Sequence, residues 1–376
     1  MRIGFDAKKI VSNQTGIGNY SRNIINALSA YPGNQYILFA PQRGTEECLR
    51  ELQPSTSVSF VYPSAHSSFG QEWWRCRGIA REIAGQQIDI FHGLSNELPS
   101  GIHRTGCKSV VTIHDLIFLR HPEYYNFIAR QILRAKTYYA CRHADKIIAI
   151  SRQTKQDIID FYRVPESKIE VVYQGCNRIF HHKVSLDVQL ATQKFYRIPM
   201  RYILCVGTIE PRKNQLTLVR VLPMLCEKIH LVLIGKSTPY QHIIEEEARR
   251  LGVQEQIHIL NQIPNWDLPA IYQGSTLFAY LSFFEGFGIP VLEAVTSGVP
   301  VVASTGSCLE EAGGPDSIYC NPSDLAQIAE KINELLAHPA HTAQMIQNGL
   351  KHAGSFTESL VTGQLLSVYS QLLPRE

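Results

Sequence analysis

Apolar and polar positions alternate in two regimes along this chain. Runs of three to five residues rich in Val, Ile, Leu, Phe and Tyr are separated by longer stretches in which apolar residues recur every three or four positions. Short continuous runs predict strands buried on both faces, and the longer spacing predicts helices with one buried stripe. In the first half this places strands over 3–5, 36–39, 58–62, 88–92, 109–113, 146–150 and 169–173, and helices over 19–30, 72–84, 126–143 and 152–161. Between 177 and 199 the strand pattern stops and the chain turns polar, so a hinge is expected over about 186–198. The alternation then restarts, with strands over 202–206, 231–234, 256–260, 277–281, 299–303 and 317–319. Helices are expected over 291–297, over 323–337, where Leu325, Ile328, Ile332, Leu335 and Leu336 share a face, and over 357–372. The expectation is an α/β chain in two halves, each a doubly wound parallel sheet that receives ligands at the carboxyl ends of its strands.

Composition narrows the picture. A chain of 376 residues, 44% hydrophobic, can bury two separate cores. It contains no 18-residue apolar run, so no membrane span is expected, and residues 1–6 read as a strand rather than a leader, which points to the cytoplasm. Nine cysteines without a C-x-x-C pair read as small core residues in a reducing compartment. Fourteen histidines close no ligand spacing, so no metal site is expected. Net charge is only +3, yet residues 101–155 hold ten Lys and Arg against three Asp and Glu, a local excess of +7. Such a stretch fits an anionic membrane, a pyrophosphate-bearing lipid, nucleic acid, or a solvated helix face. Two tryptophans beside two arginines over 69–77 fit a membrane interface, a glycan platform, or packing under a loop.

Candidate chemistry lies in the loops that follow strand ends. Phe283-Phe284-Glu285-Gly286-Phe287-Gly288-Ile289-Pro290-Val291-Leu292-Glu293 joins an apolar strand to a helix start, with carboxylates on either side of a glycine-bearing turn. Such a turn lets a ligand approach the main chain, and the helix start offers unpaired N–H groups, although a first-turn Glu is favoured by the helix dipole alone. His114-Asp115 ends another strand; Asp115 either orients the histidine or caps the next turn. Gly16 and Gly18 open a helix after the first strand, as a plain turn or as a phosphate-facing loop, without completing the dinucleotide fingerprint G-x-G-x-x-G. Arg212 and Lys213, after the strand 202–206, can neutralise a diphosphate, one as a fork and one as a point charge.

Taken together, the string from Glu285 to Glu293 around Gly-Phe-Gly-Ile-Pro resembles the signature of the retaining family 4 glycosyltransferases of the GT-B fold. The resemblance implies two Rossmann-like, doubly wound domains facing a central cleft. It would make 1–190 the acceptor domain and 191–355 the nucleotide-sugar domain, with 356–376 a terminal helix crossing back to the first. It implies that Glu285 and the backbone of Gly286, Phe287, Gly288 and Ile289 hold the donor sugar, that Glu293 holds the ribose, and that His114 approaches the reacting centre. Lys213 matches the family lysine. The family's arginine after the glycine is Thr208 here, so Arg212 is read as its replacement. The loop with Gly16 and Gly18 would face the donor phosphates, and Ile263 would lie near the nucleotide base. The implied activity is a metal-independent, front-face displacement with no cofactor beyond the donor. Its N-terminal loop and Glu-Pro-Arg-Lys-Asn segment look like those of bacterial mannosyltransferases that build O-antigen or other surface polysaccharide. GDP-mannose is therefore the expected donor, with UDP-glucose, UDP-N-acetylglucosamine and a rhamnose donor open. The expected acceptor is a lipid-linked saccharide, with the basic stretch as a peripheral membrane contact and no nucleic-acid partner. The rival readings are a sugar-nucleotide epimerase and a non-catalytic nucleotide-sugar-binding subunit.

Overall fold

The computed structural model describes residues 1–64 and 67–373. It forms two compact units: residues Met1–Gln174 with the segment from Glu358 onward, and Gly175–Thr357. The first unit holds seven strands, β1 (Arg2–Asp6), β2 (Gln35–Phe39), β3 (Val58–Val61), β4 (Ile90–Gly93), β5 (Lys108–Ile113), β6 (Lys146–Ala149) and β7 (Ile169–Val171). All pair in parallel, in the order β3-β2-β1-β4-β5-β6-β7. Successive residues of a strand face opposite sides, so each strand feeds two cores. Tyr36 and Leu38 pack with Ile24, Leu28 and the C-terminal helix, whereas Ile37 and Phe39 pack with Trp74, Ile79 and Ile83. A sheet buried on both faces explains why its strands read as unbroken apolar runs.

The second unit repeats the plan with six strands: β8 (Tyr202–Val206), β9 (His230–Ile234), β10 (Ile257–Leu260), β11 (Leu277–Tyr280), β12 (Val301–Ser304) and β13 (Ile318–Cys320). Their order is β10-β9-β8-β11-β12-β13, again all parallel. Every expected strand is present, with ends moved by one or two residues. In each sheet the winding reverses once, between β1 and β4 and between β8 and β11. The connections leaving those neighbouring strands diverge, which opens a crevice at their carboxyl ends.

Some elements differ from expectation. The helix expected over 72–84 spans 68–85 and contains a single π turn, Trp74–Gly78. Trp74 is buried there while Trp73 stands out, 57% exposed. The stretch expected as a hinge contains the helix Leu186–Tyr196, and the passage between units comes earlier, after Gln174. This stretch is fastened to the second unit by Gln273, whose side chain accepts from the Val184 N–H (2.9 Å) and donates to the His182 carbonyl (2.8 Å). Leu186 and Phe195 face outward, so no core-facing stripe marked the helix. The final helix, Glu358–Leu372, belongs to the first unit and buries Val361, Leu365, Val368 and Tyr369 in its core. Six of the eight described cysteines are buried. Among the described residues no helix is long and apolar enough to cross a membrane.

Candidate active site

The strand order of the second unit assembles its charged centre. After β8 the chain turns through Gly207, at φ +151°, where a Cβ would sit 3.6 Å from the Tyr280 hydroxyl and 3.7 Å from Cε of Lys213. The turn Pro211–Lys213 ends at Asn214, whose side-chain amide donates to the Leu281 carbonyl at 3.1 Å. The Phe283 N–H donates to the Arg212 carbonyl at 2.9 Å, and Ser282 Oγ lies 3.0 Å from the same carbonyl. These bonds clamp the loop after β8 to the loop after β11. Residues 72 positions apart in sequence thereby meet.

Glu285 is the focus of that clamp. Its Oε1 accepts from Lys213 Nζ (2.6 Å), the Ser282 hydroxyl (2.6 Å) and the Tyr280 hydroxyl (3.1 Å), and its Oε2 lies 2.8 Å from Arg212 Nη1. Arg212 also donates to the Phe284 carbonyl (2.7 Å) and to Glu210 Oε1 (2.6 Å). Burial alone would raise the Glu285 pKa, but Lys213 and Arg212 outweigh it and hold the carboxyl at about 2. Glu285 is therefore ionised throughout the neutral range. The stabilisation from its pairing is present above the ordinary carboxylate value and is lost as pH falls toward 2.

Beyond Glu285, Gly288 (φ +114°) admits the helix Ile289–Thr296, because a Cβ there would fall 2.6 Å from a Leu309 methyl. Phe287 is buried and packs on Phe356, with ring centroids 5.8 Å apart. Half-buried Glu293 accepts from the Tyr272 hydroxyl at 2.9 Å. Burial lifts its pKa to about 7, against the pull of that bond. A carboxyl raised above its unfolded value contributes most to stability below about pH 4.5 and progressively less as pH rises to about 7. Glu293→Gln is accordingly expected to stabilise the protein at pH 8 by ~1–3 kcal/mol, with the gain vanishing near pH 4.5. Melting curves at the two pH values check this; a variant less stable than the parent at pH 8 would contradict it. Thr208 flanks the Gly207 turn and gives its carbonyl to Gln215 (2.9 Å). Ile263 lies in the loop after β10, at the same carboxyl edge but two strands from β8.

In the first unit, His114 ends β5 and is 4% exposed. Its Nε2 lies 2.7 Å from the Leu94 carbonyl, which can only accept, so Nε2 carries the proton. Gln174 Nε2 then donates to Nδ1 at 3.2 Å, and the His114 N–H donates to Asn96 Oδ1 at 2.7 Å. Burial pulls the imidazole down to about 4, so it is neutral at pH 7. Asp115 caps the next turn, accepting from the Ile117 N–H at 3.1 Å. Tyr20 meets the His114 ring edge-on at 4.8 Å. A buried chain of hydrogen bonds, Tyr369 to His92 (2.7 Å) to Thr112 (2.8 Å), approaches the same strand end. Gln174, Tyr20, His92 and Tyr369 were not found from sequence, because segments so far apart leave no spacing to read.

The glycine loop after β1 is largely self-satisfied. A Cβ on Gly18 would lie 1.8 Å from the Asn13 carbonyl, so close packing demands glycine there. Asn13 Oδ1 collects the N–H groups of Thr15 (2.9 Å) and Gly18 (3.1 Å), as expected for the plain-turn alternative at this loop. Gly16 has open space where its Cβ would be. Nearby, Arg75 is turned inward, so of the readings open for 69–77 it follows packing under a loop. It pairs with Asp6 (2.8 Å), Glu97 (2.8 Å) and Glu72 (3.3 Å), and Lys136 adds to Glu97 at 3.2 Å. Burial would raise Glu97, but Arg75 and Lys136 prevail and lower it.

Comparison with known proteins follows the same division. The profile "Glycosyltransferase Family 4" matches residues 14–178, and "Glycosyl transferases group 1" matches residues 195–352. The chain is 26% identical over 385 residues to O-antigen chain mannosyltransferase B of Escherichia coli, covering 99% of this chain and 100% of the relative. Among solved structures, it superposes on a glycosyltransferase from Rickettsia africae with a TM-score of 0.77 at 18% identity, covering 100% and 99% of the two chains. It also superposes on Anabaena Alr3699/HepE in complex with UDP and glucose, with a TM-score of 0.75 at 19% identity, covering 99% and 100%.

Proposed function

Because the chain belongs to the family 4, group 1 glycosyltransferases and has their GT-B fold, we propose that it is a retaining hexosyltransferase using GDP-mannose as donor. The acceptor is a lipid-linked or free saccharide of a cell-surface polysaccharide. The observation that carries this reading is the 2.6 Å pairing of Lys213 with Glu285 at the point where the second sheet reverses its winding. Similarity to the E. coli O-antigen mannosyltransferase along its whole length supports mannose as the sugar. An epimerase or a non-catalytic subunit is not favoured, since the matched profiles and that relative are transferases.

The chemistry divides among the residues as follows. The bond from the anomeric carbon to the diphosphate oxygen breaks as the bond to the acceptor oxygen forms on the same face, and the acceptor proton passes to the departing diphosphate. Lys213 stabilises the charge that develops on that diphosphate. Glu285, ionised, accepts from sugar hydroxyls alongside the backbone of Gly286, Phe287, Gly288 and Ile289. Glu293 receives the ribose. Thr208 and Ile263 border the donor, and His114, in the first unit, is neutral. Lys213→Ala is expected to weaken GDP binding by about 10–100-fold in calorimetric titration; unchanged affinity would remove Lys213 from the site. Since lysine and arginine supply the positive charge, activity should persist in EDTA, and a strict divalent-ion requirement would contradict the mechanism.

A lipid-linked acceptor also assigns a surface. The helix Phe127–His143 carries Arg130, Arg134, Lys136 and Arg142 and no acidic residue. At its start Phe127 is 70%, Ile128 72% and Ile132 51% exposed. Exposed apolar side chains beside arginines that pair with no acid among the described residues suit the interface of an anionic membrane. The protein should sediment with phosphatidylglycerol vesicles but not with phosphatidylcholine alone, and Phe127→Ser with Ile128→Ser should abolish sedimentation. Equal sedimentation with both lipids, or retention by the double variant, would contradict this assignment.

A further inference from the structure

The positive charge assigned to the leaving diphosphate is already balanced within the second unit. Arg212 and Lys213 face two carboxylates, Glu285 and Glu210, so the cluster sums to zero. The two acids are held differently. Glu285 is nearly buried and anchored by Ser282 and Tyr280 as well as by both cations. Glu210 stands on the loop after β8 with 32% of its side chain exposed, and its Oε1 meets Arg212 Nη2 at 2.6 Å. Arg212 Nη1 is engaged by Glu285 and the Phe284 carbonyl, which leaves the Glu210 side as the face an incoming anion would have to take.

We propose that Glu210 sets the affinity for the nucleoside diphosphate, by holding the outer face of Arg212 that the ligand's diphosphate would otherwise occupy. The proposal rests on the functional reading above. Glu210 is two residues from Arg212 on a turn and part-exposed, so it can swing into water without disturbing the buried Glu285 pairing. A diphosphate must displace it on entry, and its return to Arg212 helps the product leave. Part of the attraction between the cations and the ligand is thus offset, which loosens the hold on the spent nucleotide.

Calorimetric titration of GDP and of UDP into the full chain tests this, with the parent beside Glu210→Gln, Glu210→Ala and, as a charge control, Glu246→Gln. Glu246 is an exposed acid on the helix Tyr240–Arg250 that pairs with His242 instead. The expected result is a Kd lowered about five- to thirtyfold by both Glu210 substitutions and unchanged by Glu246→Gln. A merely structural Glu210 would give the opposite sign, because loosening the loop weakens binding. Unchanged or weaker affinity in both Glu210 variants, or equal tightening by Glu246→Gln, would overturn the proposal while leaving the functional reading standing. If the parent itself bound neither nucleotide, the functional reading would fall and this proposal with it.

Discussion

Glu285→Gln is expected to lower turnover by about 10²–10³-fold while leaving affinity for GDP unchanged or tighter. The divergence follows from what Glu285 holds. Its two oxygens take one bond from Lys213, one from Arg212 and two from the hydroxyls of Ser282 and Tyr280. Glutamine keeps the size of the side chain but has one acceptor oxygen and no charge. Lys213 and Arg212 then lose their buried counter-charge and become more attractive to a diphosphate. The sugar loses the ionised acceptor that aligns its hydroxyls, and misalignment affects the transition state more than nucleotide binding. Donor turnover and GDP titration on the same preparation check both halves. Turnover within a factor of two of the parent would exclude Glu285 from the reaction.

The largest stability effect is expected at Arg75, remote from that chemistry in sequence. Arg75→Met should cost about 3–5 kcal/mol, since it leaves Asp6 and Glu97 close together without their shared cation. For a unit of this size that corresponds to a Tm lower by roughly 10 °C. The deficit should shrink at acid pH. In the parent, Arg75 and Lys136 keep Glu97 below its ordinary value, a stabilisation present above that value and lost on acidification. In the variant the stranded carboxylates can take up protons more readily, which relieves their repulsion. Thermal unfolding at pH 8 and pH 5 measures this; equal melting of parent and variant at pH 8 would show that the cluster contributes nothing.

The legible and illegible parts of the sequence separate on physical grounds. The strands could be read because both faces of each parallel sheet are covered, so Tyr36-Ile37-Leu38-Phe39 and Tyr202-Ile203-Leu204-Cys205 are apolar without interruption. Lys213 and Glu285 could be nominated because each lies in the loop that follows a strand, but their contact depends on β8 lying beside β11, which strand spacing does not encode. The helix Leu186–Tyr196 escaped notice because its larger apolar side chains point outward. The segment Trp73-Trp74-Arg75 fits a surface cluster and packing under a loop equally well in sequence, and the π turn that carries Trp74 and Arg75 inward decides for those two residues. Gly18 could be read as a turn or as a ligand-facing glycine, and the close approach of the Asn13 carbonyl is by itself enough to require glycine there. The surroundings of His114 come from Leu94 and Asn96 on the loop after β4 and from Gln174 after β7, so the motif disclosed the histidine and none of its partners.

Donor identity and stereochemistry define the reaction: which hexose leaves which nucleotide, and with which anomeric configuration. Time-resolved NMR of GDP-mannose hydrolysis, with water as a slow acceptor, reports both in one experiment. The expected result is release of GDP with α-mannose appearing before its β anomer, faster than hexose release from UDP-glucose, and nearly abolished by Glu285→Gln. Initial release of β-mannose, or release at the same rate by that variant, would contradict it.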